Sequence, residues 1–210
     1  MNTQVLQGLL MPFLGTTLGA ALVFFLKRDL PEKVQKGLSG FAAGVMVAAS
    51  IWSLLIPALE GAADLGAWSF LPATVGFWLG ILFLLLLDRL VPHVHLDGEQ
   101  EGLRASLPRS MMVALAVALH NLPEGMAVGV VYAGSMQPEQ VGSVSFASAF
   151  ALAVGIALQN VPEGAIVAMP LRQAGMSRKK AFTLGMLSGA VEPLGALLTI
   201  GLAAVFAPMM

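Results

Sequence analysis

Residues 117–129 read V-A-L-H-N-L-P-E-G-M-A-V-G. The run around them, 110–132, is otherwise apolar and long enough to cross a bilayer, which takes about 20 residues. Three polar side chains, His120, Asn121 and Glu124, sit in its middle. An ionised glutamate at the bilayer centre costs about 2.5–3.5 kcal/mol on insertion scales. Residues of this kind therefore face a bundle interior and have partners there. The pattern recurs as A-L-Q-N-V-P-E-G at 157–164, and a third acid, Glu192, stands in V-E-P-L-G at 191–195. A membrane helix bundle with a polar centre is the architecture these stretches require.

The rest of the chain agrees. Of 210 residues, 57% are hydrophobic and 11% charged, where a soluble domain carries about 25% charged residues. Six apolar segments have spanning length: 4–26, 38–59, 69–91, 108–132, 144–171 and 180–207. The first is too long for a signal-peptide core and has no small-residue cleavage site after it, so it is expected to be a retained helix. Strand alternation is absent, which argues against a β-barrel. The expectation is one all-α membrane domain over 1–210. The absence of cysteine rules out disulfides and thiolate metal sites, and a net charge of -1 gives no sign of nucleic-acid binding.

Basic residues orient the bundle. Lys27, Arg28, Lys33 and Lys36 follow the first span. Arg89, Arg104 and Arg109 flank the loop after the third. Arg172, Arg178, Lys179 and Lys180 flank the loop after the fifth. These are all 11 lysines and arginines of the chain. The positive-inside rule then makes 27–37, 92–107 and 172–179 cytoplasmic loops and puts the N-terminus outside.

The three mid-span glutamates have no lysine or arginine at their depth, so a cation or protons must answer them. His120 and Glu124 are spaced i,i+4 and share a helix face, as do Gln159 and Glu163. Asn121 and Asn160 each stand three residues before a glutamate. Imidazole nitrogen with carboxylate and amide oxygens suits zinc or another first-row divalent ion, and two shared glutamates would bridge two metals. Pro123 and Pro162 deprive the carbonyls of Leu119 and Leu158 of helical partners, which predicts two spans interrupted at matched places, as in transporters built from repeats. Gly125 and Gly164 permit close helix approach.

At these residues the chain resembles the ZIP family of divalent-metal transporters, in particular its bacterial GufA-like branch. The likeness is carried by H-N-L-P-E-G at 120–125, Q-N-V-P-E-G at 159–164 and V-E-P-L-G at 191–195. It extends to G-F-A-A-G-V-M-V-A-A-S at 40–50. It implies a two-metal site halfway across the membrane. His120, Glu124, Gln159 and Glu163 would form the first site, joined by Met46 as a thioether ligand from span two. Asn121, Asn160 and Glu192, with the two glutamates as bridges, would form the second. It further implies an access route past Ser53 and Glu60, and release past Asp88, His93 and His95. The family has eight spans, so this chain is expected to match the first six and lack the last two. The family also suggests a homodimer.

The function expected is uptake of a divalent metal, most readily zinc, with iron, manganese, cadmium or cobalt as other candidates, into the cytoplasm across a bacterial inner membrane. Metal ions and membrane lipids are then the partners. No G-x-x-x-x-G-K-[ST] is present, which disfavours a primary pump. An enzymatic role is not expected, because neither H-E-x-x-H nor a Glu-x-x-His pair occurs. A membrane di-metal enzyme and a non-transporting metal-binding fragment are the alternatives.

Overall fold

A computed structural model describes residues 3–26, 31–94, 100–136 and 144–206. Among these, six helical spans are long and apolar enough to cross a membrane. The first is α1 (Thr3–Ala21), extended by a 3-10 turn at Leu22–Phe24. The second is α2 (Glu32–Ala48), a π-helical stretch Ala49–Leu55 and α3 (Ile56–Gly61). A 3-10 segment at Ala63–Trp68 leads into the third, α4 (Phe70–Leu90). The fourth is α5 (Arg109–Ser135) and the fifth α6 (Phe146–Gln173). The sixth is divided into α7 (Arg178–Ser188) and α8 (Val191–Phe206). Between α4 and α5 a two-residue antiparallel ladder pairs β1 (His93–Val94) with β2 (Gln100–Glu101), with His93 opposite Glu101.

Local chemistry sets several of these ends. Pro31 and Pro108 occupy the N-caps of α2 and α5, where the missing N–H costs nothing. Ser145 and Ser177 cap α6 and α7 by accepting the backbone N–H of Ser148 and Lys180. Lys33 and Lys36, expected in a loop, instead lie in the first turns of α2, where Lys36 pairs with Glu32 at 2.6 Å on an exposed face.

Glycines bring the central helices together. A Cβ on Gly15 or Gly19 of α1 would fall about 2 Å from the carbonyls of Ala157 and Val161 on α6, and one on Gly125 of α5 would meet the Glu192 backbone of α8. The backbones thus touch directly, as small-residue packing in membranes allows. α1, α5, α6 and the two halves of the sixth span form the inner bundle. The second and third spans are peripheral: α4 buries no residue and α2 only Ala42.

Two apolar clusters fill the bundle. One gathers Val5, Leu9, Val128, Tyr132, Leu152 and Ile156. The other gathers Ala20, Val23, Val167, Met169 and Ala181. Along α1, α5 and α6 the polar residues Thr16, Asn121, Glu124, Gln159 and Asn160 fall outside both clusters and are buried.

The breaks differ from the sequence expectation. α5 and α6 run through Pro123 and Pro162 without interruption. Membrane helices absorb an internal proline when neighbouring groups satisfy the freed carbonyl. The interruption lies in the sixth span, expected to be one helix, at Gly189–Ala190. There the backbone switches to i→i−3 bonds: Gly189 to Met186, Ala190 to Leu187 and Glu192 to Gly189, each 3.1 Å. Pro193 explains the position. It has no N–H for Gly189 four residues earlier and suits the first turn of a new helix.

Candidate metal centre

The histidine, both motif glutamates and the glutamine meet between α5 and α6. His120 Nε2 lies 3.6 Å from Glu124 Oε1 and 3.7 Å from Glu163 Oε1. One ligand atom from each of the three lies within 4.8 Å of the others. Gln159 donates from Nε2 to Glu124 Oε1. No lysine or arginine occurs between Arg109 and Arg172, so spans four and five answer these carboxylates with one imidazole. His120 is half-exposed, whereas Glu124 is 9% exposed. It opens on a cavity of about 360 Å³ lined also by Met46, Ser50, Leu54, Glu124 and Gln159. A second cavity of about 310 Å³ shares His120 and Leu84 with the first and reaches Asp88.

A neighbouring group contains no nitrogen ligand. Asn121 donates from Nδ2 to the carbonyl of Ser188 at 3.2 Å, the residue just before the break in the sixth span. Asn160 donates from Nδ2 to the carbonyl of Pro12 at 3.4 Å. Glu192 Oε1 accepts the hydroxyl of Thr16 at 2.8 Å. Glu192 also stands in the first turn of α8, where the helix dipole favours a carboxylate. All four side chains are buried.

One rule runs through both groups. Each side chain is held by one polar atom, or packed, and keeps a second oxygen buried without a partner. The unpartnered atoms are Asn121 Oδ1, Glu124 Oε2, Gln159 Oε1, Asn160 Oδ1, Glu163 Oε2 and Glu192 Oε2. Tyr132, in the first apolar cluster, supplies the one other such atom among the described residues. A buried oxygen left unpaired costs about 1–3 kcal/mol. Six together rival the roughly 5–15 kcal/mol that keeps a domain folded. A cation among them would offset that cost, and oxygen with one imidazole is a donor set for zinc and related divalent ions.

A third group lies at the end of α4. His93 Nε2 is 3.2 Å from Asp88 Oδ1 and 3.8 Å from Glu101 Oε2. His93 is 1% exposed, and both acids are partly exposed. Its Nδ1 donates to the carbonyl of Val91 at 2.8 Å. Metal-ligating histidines are oriented this way by their second nitrogen.

The ZIP Zinc transporter family profile matches residues 95–209. The zinc transporter ZIP11 of Homo sapiens is 34% identical, over 92% of this chain and 79% of its own. The zinc transporter ZupT of Corynebacterium aurimucosum is 39% identical, over 90% of this chain and 71% of its own. The zinc transporter GufA of Myxococcus xanthus is 37% identical, over 87% and 70%. The chain belongs to the ZIP family. It is an integral membrane protein of a transporter family, so the di-metal enzyme alternative falls away.

Within this ZIP chain the structure brings His120, Glu124, Gln159 and Glu163 together, places Asn160 and Glu192 against α1, and sets Asn121 on the Ser188 carbonyl at the end of α7. Met46 shares the cavity of His120. Ser53 is half-buried in the π-helical stretch but is not among the residues lining that cavity, and Glu60 is exposed near the end of α3. The wider π turn carries the lining face from Ser50 to Leu54. Asp88 and His93 are adjacent. His95 lies outside the described residues. Four participants were missed: Thr16, the carbonyls of Pro12 and Ser188, and Glu101. Only Glu101 left a trace, as an acid six residues after the end of the P-H-V-H.

Proposed function

We propose that this protein carries a divalent metal, zinc first among candidates, into the cytoplasm through paired sites near the membrane midplane. The observation that carries the reading is the array of six buried, unpartnered oxygens on the residues of the two P-E-G motifs and Glu192. Metal arriving from the outer side reaches the cavity lined by Met46 and Ser50 and exchanges water for His120, Glu124, Gln159 and Glu163. Glu124 and Glu163 bridge to a second ion on Asn121, Asn160 and Glu192. His120 and Leu84 line both cavities, so the way on leads to Asp88, His93 and Glu101. The charge bias of the loops supports an outside N-terminus, and the bacterial relatives ZupT and GufA support a bacterial inner membrane. Ligands bind deprotonated, so acid opposes loading.

Flux into liposomes carrying a zinc-sensitive dye tests the proposal. The wild-type protein should fill them, and the Glu124→Ala, Glu163→Ala double variant should fill them no faster than empty vesicles. Equal filling by the two would remove transport through this site.

A further inference from the structure

The first span enters the polar centre through one side chain. Thr16 is fully buried, and its Oγ1 lies 2.8 Å from Glu192 Oε1 but 3.5 Å from the carbonyl of Pro12 in its own helix. A hydroxyl has one proton to give. At these distances it goes to Glu192 and not to the back-bond that threonines in helices commonly make.

Thr16 also touches the break in the sixth span. A Cβ on Gly189 would fall 2.7 Å from Thr16 Cβ, and one on Gly164 of α6 would fall 2.0 Å from the Thr16 carbonyl. Four residues earlier, the carbonyl of Pro12 receives Asn160. One turn of α1 therefore holds two of the three residues of the asparagine group. Each is held by the atom that leaves its other oxygen unpartnered.

We propose that Thr16 is a positioning residue for the second metal. Its hydroxyl occupies one oxygen of Glu192, turns the other toward Asn121 and Asn160, and ties the geometry of that site to the seat of α1 against the broken sixth span. The inference rests on the two-site reading above and adds a residue to it. The third span and α2, by contrast, make no polar contact with Glu192 among the described residues.

Zinc titration of the purified full-length chain tests it, with Thr16→Val, Thr16→Ser and Glu192→Gln in parallel. Valine keeps the branched shape that packs on Gly189 and removes the donor. Two binding events are expected in the wild type. Thr16→Val should weaken one of them about 10–100-fold, the usual cost of losing a residue that orients a ligand. Thr16→Ser should restore it, and the other event should stay in place. Wild-type binding by Thr16→Val, with Glu192→Gln impaired, would overturn the role of Thr16 and leave the second site standing. No effect of Glu192→Gln would remove the second site and this inference with it. Failure of serine to restore what valine loses would mark Thr16 as packing alone and also overturn the proposal.

Discussion

The two halves of the polar centre are built to different plans. The histidine group opens on a cavity shared with span two, and its imidazole is half-exposed. The asparagine group is sealed, offers oxygen alone, and is tied to α1 and to the break before α8. The motifs that supply them differ little, H-N-L-P-E-G against Q-N-V-P-E-G. Position decides the contrast. Residues one apart on a helix do not face the same way, so His120 and Asn121 turn to different neighbours. One motif can thus serve two environments at once, an accessible one and an enclosed one; in the function proposed above the first exchanges metal and the second retains it.

The widest break in that comparison comes from the shared glutamates. Glu124→Ala with Glu163→Ala should abolish zinc binding in both groups and reduce flux to the vesicle background. Should one group survive intact, the two are independent and nothing bridges them. Next in size is Gly125→Val. Its branched side chain collides with the Glu192 backbone, so α8 must move, and overpacking of this sort costs about 1–3 kcal/mol. We expect a lower unfolding temperature in detergent and loss of the asparagine-group site before the histidine-group site.

His120→Gln sharpens the contrast by making the two motifs alike. The wild type should bind zinc better as pH rises from about 5 to 8, because a histidine ligand must first shed its proton. The glutamine variant should bind more weakly at pH 8 and lose most of that slope. A retained slope would assign the pH dependence to the carboxylates. The smallest effect is expected of Met46→Leu. It keeps the cavity wall and removes a soft sulfur, so cadmium affinity should fall a few-fold more than zinc affinity.

How much of this was legible before the structure depended on sequence distance. The i,i+4 pairing of His120 with Glu124 and the close approach at Gly125 were readable because helix geometry is local and the motif repeats. The prolines misled, since Pro123 and Pro162 sit inside unbroken helices while Pro193 starts a new one. Thr16 was invisible. It looks like any small polar residue in a small-residue helix, and its partner is 176 positions away. Ser53 entered through the family likeness, and the π-helical stretch from Ala49 to Leu55 puts Ser50 and Leu54, not Ser53, on the wall of the His120 cavity. Glu101 joins His93 through strand pairing, which helical spacing does not encode.

The most direct test of the paired-site account is the number of zinc ions held per chain after gel filtration in zinc-containing buffer, measured by elemental analysis. The account predicts two for the wild type, one for Glu192→Gln and none for the Glu124→Ala, Glu163→Ala variant. A single zinc per wild-type chain that persists in the double variant would contradict it.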